Sequence, residues 1–279
     1  MVDITQTTDA REEIASIKRG SETYTKCLTE ITLNSYESFR RMKKADPNKK
    51  VDDYVLIRAD SRGQFFETID HFEGIADDEK SGIDILSVKG RSQATHTEDA
   101  RSAMGRGMSD VLFRPPGPSI VGWRRNGQTF AYIAEWVKNP SNGKLERKYL
   151  DQRQKNPQLI KKIEDLIPNT GTYVKFSWKE EDEQQPFPTK NDIKEHLGYY
   201  FELKNVLSGN EFSYNLEYVN QDGTVDKDKI NFVKYDVTEV ATLGKTPLKI
   251  KLHPMFAIKC KCWHDKLEHG NSGCNKCKK

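Results

Sequence analysis

The chain has 279 residues, 35% apolar and 31% charged, enough to bury a core beneath a very polar surface. Its 45 basic and 42 acidic residues leave a formal charge of +3, too even a balance to argue for nucleic acid over the whole surface. No run approaches the roughly 18 apolar residues of a membrane span, and "MVDITQTTDAREE" lacks a signal-peptide pattern, so a cytosolic, reducing location is expected. Cysteine usage agrees, since Cys27 stands alone and Cys260, Cys262, Cys274 and Cys277 crowd the last twenty residues.

Residues 11 to 44 read as one long helix, entered near Asp9 and closed by "RRMKK", whose cations suit a helix C-terminus. "DYVLIRAD" and "QFFETID" then read as strands joined by "SRG", a hairpin. The next forty or so residues, 71 to 110, are polar and rich in Gly and Ser, and so long a connection is usually a functional lid. "SIVGWRRNGQTFAYIAEW" reads as a second hairpin turning at "RNGQ". "NPQLIKKIEDLI" is a short amphipathic helix, followed by the strand "TYVKFSW". "KEEDEQQPFPTKND" is an acidic, Pro-containing linker and the best domain boundary. A helix, "NDIKEHLGYYFELKNVL", and a β-meander follow it. No internal repeat is visible.

Four stretches carry candidate chemistry. In "EITLNSYES", Glu30, Asn34 and Glu37 fall at i, i+4 and i+7 on one helical face. A carboxylate one turn from a carboxamide can orient a nucleophilic water beside a Mg²⁺ ligand, and the same spacing also describes a solvated helix face. In "ETIDHFEGI", a strand runs into Asp70 and a loop leads to Gly74 and Ile75. An acceptor there can take a hydrogen bond from an exocyclic amine, and Gly admits a flat ring close to the backbone, though a strand-ending turn reads alike. In "SAMGRGMSDVLF", Gly105, Arg106 and Gly107 form a Gly-rich loop feeding a helix, an arrangement suited to phosphate or to a flexible turn. In "NTGTYVKF", Thr172 opens a strand where its hydroxyl can bridge to a ligand through water.

In this order, "EITLN" with "SYES", "DHFEG", "GRGMSD" and "GTYVKF" resemble the motifs of the GHKL ATPase superfamily: gyrase, heat-shock chaperone, histidine kinase and MutL ATPases. The resemblance spans roughly residues 10 to 180. It implies an α+β protein built on a Bergerat two-layer sandwich, a mixed or antiparallel sheet with helices on one face. The ATP-binding domain would occupy residues 1–180, a small helix-plus-meander extension 187–252 and a Cys-rich tail 253–279. By resemblance, Glu30 activates water, Asn34 ligates Mg²⁺ and Glu37 lines the pocket. Asp70 takes the adenine amine, Gly74 and Ile75 admit the ring, and Thr172 supports it. Gly105, Arg106 and Gly107 close over the phosphates. The family usually has Asn and Gly after its Asp, whereas here stand His71 and Phe72, the latter placed to narrow the pocket or to stack near the base.

Only about ten residues precede the first helix and no His lies before Asp70, which disfavours a histidine autokinase. The meander looks too short for a complete transducer domain, and Lys245, Lys249 and Lys251 are conceivable phosphate sensors or ordinary surface lysines. Cys260, Cys262, Cys274 and Cys277 pair at C-x-C and C-x-x-C spacing, which suits a thiolate Zn²⁺ site or a disordered end. Two expectations result. One is a Mg²⁺-dependent ATPase that dimerises with ATP and acts on DNA or a client protein, in DNA-related or defence processes. The other is a non-hydrolysing, nucleotide-regulated binding module with a zinc-binding tail.

Overall fold

The alternation of apolar and polar residues in "YVLIRAD" and "TYVKFS" calls for strands buried on one face and partly covered on the other. The computed structural model describes residues 4–6, 10–20, 23–50, 52–87, 107–114, 117–178, 187–199, 203, 207, 212–233, 240–243, 246–249, 269–270 and 273–274. They form an α+β protein.

Strand β1 (Ile4–Gln6) leads into α1 (Ala10–Gly20) and α2 (Tyr24–Ala45), so the single helix expected over 11–44 is two. The break has a local cause: Thr23 is extended (φ −125°) and its hydroxyl accepts from Lys26 N at 3.2 Å, capping a new helix. The expected first hairpin is β2 (Tyr54–Asp60) with β3 (Phe65–Asp70). The connection expected as a lid contains α3 (Glu79–Ser87) and α4 (Gly107–Leu112). β4 (Ser119–Arg125) and β5 (Gln128–Lys138) pair around Asn126 and Gly127, both at positive φ, as a tight Asn-Gly turn requires. β6 (Leu145–Asp151) was not expected, because "LERKYLD" is too charged to read as a strand. α5 (Pro157–Leu166) and β7 (Gly171–Ser177) follow as expected.

The chain continues with α6 (Lys190–Gly198), β8 (Ser213–Val219) and β9 (Val225–Ile230), and two small hairpins follow. These are β10 (Val240–Leu243) with β11 (Thr246–Lys249), and β12 (His269–Gly270) with β13 (Gly273–Cys274). The main sheet has nine strands in the order β1-β6-β5-β4-β7-β3-β2-β8-β9, antiparallel throughout except for β2 against β8. The segment expected as an extension from residue 187 therefore adds two strands to the first sheet. Its helix is tied to α2 as well, with Tyr24 Oη 2.5 Å from His196 Nδ1. The common core explains this continuity, since Ile193, Leu197, Tyr214 and Leu216 are fully buried in one cluster with Leu28, Ile57 and Phe66.

Successive residues of a strand point to opposite faces, and two cores follow from that rule. Ile57, Phe66 and Val174 face α2, while Leu56, Ile69 and Tyr173 face α5. The expectation of helices on one face is thus corrected. Leu159, Ile163 and Ile167 repeat every four residues and give α5 an apolar stripe that the opposite face of the sheet buries. Beside that stripe Glu67, 1% exposed, accepts from Tyr173 Oη at 2.7 Å, from Arg58 Nη1 at 3.1 Å and from Lys162 Nζ. Burial alone would raise its carboxyl, but the bonds from Lys162 and Tyr173 outweigh it and hold Glu67 below its ordinary value.

Candidate functional site

The core stripe of α2 runs Cys27, Leu28, Ile31, then Ser35 and Ser38 before Phe39 and Met42. Two serines at core positions demand polar partners. Ser35 donates its hydroxyl to Asp70 Oδ2 at 2.6 Å, and Ser38 accepts from Glu73 N at 3.1 Å. Their small side chains border a cavity of about 110 Å³ between α2, β3 and β7. Ile31, Asn34, Ser35, Glu37, Ser38 and Arg41 line it from α2, and Thr68, Asp70, Thr172 and Val174 from the sheet. Gly74 and Ile75 close one side, and Ile85, Leu86, Gly107, Met108 and Ser109 close another. An engineered apolar cavity that holds benzene measures about 150 Å³, so the described walls enclose somewhat less than that space.

Asp70 sits at the end of β3, 4% exposed. Its Oδ1 accepts from Phe72 N at 3.2 Å and Thr172 N at 3.1 Å, and its Oδ2 accepts from Ser35. Burial pushes the carboxyl above its ordinary value, and these three donors, with His71 nearby, pull back against that. An ionised carboxylate offers about four lone-pair positions, so one on Oδ2 is left for a ligand. Gly74 holds φ +74°, with the Arg124 and Gly171 carbonyls 3.0 and 3.3 Å from where a Cβ would stand. A side chain there would be strained and crowded. A Cβ on Gly171 would collide with the Asp70 carbonyl, so this glycine is what lets β7 lie so close to β3.

The structure brings Asn34, Glu37, Asp70, Gly74, Ile75, Gly107 and Thr172 around one cavity. Glu30 lies one turn before Asn34, and its carboxylate packs against the Cα of Gly107, where a Cβ would overlap it. Gly105 and Arg106 lie outside the described residues, as do Cys260, Cys262 and Cys277. Cys274 is placed only through its backbone pairing with His269. Lys245 and Lys251 also lie outside, and Lys249 is placed only by its backbone pairing with Val240. Among the described residues no group of three or more His, Cys, Asp and Glu side chains is arranged to hold a metal on its own.

Phe72 neither narrows the cavity nor reaches a ring within it. Its side chain is fully buried against Phe39 (5.5 Å between ring centroids) and Phe212 (5.7 Å), on the core side. His71 turns away too, with Nδ1 2.6 Å from Asp52 Oδ2 and Nε2 2.9 Å from the Leu166 carbonyl oxygen. Sequence reasoning missed Ser35, Ser38, Thr68, Arg41 and Ser109. The readable signal for the first two was a pair of hydroxyls on the buried stripe of an amphipathic helix. Arg41 also ties the cavity's rim, its Nε 3.0 Å from Glu73 Oε2. Among the described residues no helix is long and apolar enough to cross a membrane. No protein-family model matches the chain, and no curated protein sequence matches it significantly.

Proposed function

We propose that the chain is a GHKL-type ATPase module. It binds ATP with Mg²⁺ in the cavity beneath α2, hydrolyses it with Glu30 as the base, and uses the cycle as a conformational and dimerisation switch acting on DNA or a client protein. The observation that carries this reading is the buried Asp70 carboxylate with one acceptor position left. A single exocyclic amine, as on adenine, satisfies that position. Guanine presents two adjacent donors and would leave one facing an oxygen already saturated. Gly74 and Ile75 flank the ring, Thr172 supports it from β7, and Gly107 at the start of α4 stands toward the phosphates. The mostly antiparallel sheet with α1 to α4 and α6 on one face supports a Bergerat plan, with α5 added to the other face.

Asn34 and Glu37 line the cavity as a carboxamide and a carboxylate one turn apart. That donor set suits Mg²⁺, which keeps several waters and takes one or two protein ligands plus phosphate oxygens rather than an all-protein cage. Bound there, Mg²⁺ would neutralise phosphate charge, while Glu30 accepts the proton of the attacking water.

One observation favours the second reading, a nucleotide-regulated binding module without hydrolysis. The cavity wall on α2 begins at Ile31, and Glu30 rests against Gly107 instead. ATP turnover with and without Mg²⁺ separates the two. Hydrolysis that stops with EDTA supports the ATPase, and tight ATP binding without turnover supports the regulated module.

A further inference from the structure

Helix α4 spans only six residues, too few to hold a helical conformation by itself, so its placement comes from tertiary anchors. Val111 and Leu112 sink into the core beneath α2, and two residues of β6, Arg147 and Tyr149 (ring centroid 5.0 Å from that of Phe113), hold the other side. Arg147 is 3% exposed, and its Nη1 donates to Ser109 Oγ at 3.2 Å. The same guanidinium carbon lies 5.1 Å from the centroid of Phe113. Ser109 and Phe113 stand four residues apart, one above the other on a helical face. One buried cation thus grips both ends of that face and fixes the rotation of α4 about its axis. Tyr149, two residues along the same strand, donates its hydroxyl to the Leu86 carbonyl at 3.0 Å at the end of α3.

The guanidinium is itself held. Its Nη2 lies 2.9 Å from Glu13 Oε1 on α1, with both side chains nearly fully buried. A planar fork can address a carboxylate, a hydroxyl and a ring at once, which an ammonium cannot do. The consequence lies where the start of α4 bounds the cavity. Gly107, Met108 and Ser109 form a cavity wall, and Gly107 sits on the Glu30 carboxylate. Asp70, which reads the base, is held by α2 and the strand ends and takes no bond from this network.

We propose that Arg147 is a positioning residue for turnover: through Ser109 it sets how the Gly107 wall meets Glu30, leaving recognition of the base to Asp70. The inference rests on the ATPase reading for its catalytic consequence, and on the grip on α4 alone for its structural one.

The test uses the full chain with Arg147→Lys, which keeps a charge beside Glu13 but loses the fork, with Ser109→Ala, which removes only the hydroxyl, and with the double variant. With Mg·ATP, kcat should fall about two- to tenfold in Arg147→Lys, the worth of one hydrogen bond, while ATP affinity by calorimetry stays within about twofold, because Arg147 does not line the cavity. Ser109→Ala, which also alters the cavity wall, should lower kcat in the same direction, and the double variant should have a kcat no worse than the worse single. In the nucleotide-free protein, hydrogen exchange at the Phe113 and Arg114 amides, bonded to Ser109 O and Val111 O, should speed up about tenfold in Arg147→Lys, with the melting temperature little changed. Wild-type kcat in Arg147→Lys, or equal losses in kcat and affinity in that variant, overturns the catalytic role. Unchanged exchange at α4 overturns the grip. If the wild type itself fails to hydrolyse ATP, the ATPase reading falls with the catalytic role, and the exchange result then decides the grip by itself.

Discussion

Replacing Asp70 with Asn changes one acceptor into a donor with almost no change in shape, and the surrounding bonds dictate which way the amide must turn. Two backbone donors, Phe72 N and Thr172 N, point at Oδ1 and cannot become acceptors. The amide oxygen of Asp70→Asn must therefore face them, which puts its NH₂ at the Oδ2 position. Ser35 adapts, since its hydroxyl can turn to the Ile31 carbonyl, 3.3 Å away, and accept from the new NH₂. Folding should change by no more than about 1 kcal/mol, because one hydrogen bond is exchanged for another and a desolvated charge is removed. Binding has no such escape, since the second N–H now meets the adenine amine donor to donor. An unpaired buried group costs about 1–3 kcal/mol, so ATP affinity should fall roughly 5- to 150-fold. Calorimetry with ATP, beside a thermal melt, reads both quantities. The pH arm has a definite sign. Asp70 is raised in the folded state, so the folded protein binds its proton more readily than the unfolded chain does. Wild type should gain stability over Asp70→Asn as pH falls into the window above the ordinary carboxylate range, and lose that gain as pH rises through the folded value. Wild-type ATP affinity in the folded Asp70→Asn protein would refute the assignment of Asp70 to the base.

Other expectations follow from the same geometry. Gly171→Ala drives a Cβ into the Asp70 carbonyl, and at about 2–3 kcal/mol of overpacking it should lower the melting temperature on the order of 5–10 °C. Glu67→Ala leaves Arg58 and Lys162 without their buried acceptor. Both cations keep access to water, so a loss of about 2–3 kcal/mol in chemical denaturation is expected, below the usual figure for a broken buried pair. Because Glu67 is lowered in the folded state, its contribution is present above the unfolded value and is lost as pH falls through the folded one. If the tail binds zinc, the full chain purified without chelator should carry about one Zn²⁺, and Cys274→Ser should lose it. Metal analysis finding none returns the tail to an unliganded segment.

The sheet hairpins and α5 were legible because their signals are local. Period-two apolar runs flank an Asn-Gly turn, and a four-residue apolar repeat follows Asn156, whose side chain accepts from Leu159 N at 3.1 Å. Four short motifs far apart in sequence name Asn34, Glu37, Asp70, Gly74 and Thr172, and the structure sets these around one cavity. What escaped was decided by partners distant in sequence. Arg147 sits in a strand whose composition reads as surface, and partners from other elements, Glu13, Ser109 and Phe113 among them, make it a buried position. Phe72 was read against the pocket because it follows Asp70, but Phe39 and Phe212 offer its ring an aromatic core on the far side. The parallel pairing of β8 with β2 joins residues about 160 apart, beyond the reach of any window along the chain.

In the proposed reaction the cavity turns over ATP with Glu30 acting on water. Mg²⁺-dependent ATP hydrolysis by the full chain, measured side by side with Glu30→Ala, tests it most directly. The wild type should turn over ATP in a reaction that EDTA abolishes, and Glu30→Ala should lose ~10²–10⁴-fold of it with ATP affinity retained. Equal hydrolysis by the two proteins, or none by a wild type that binds ATP, would contradict it.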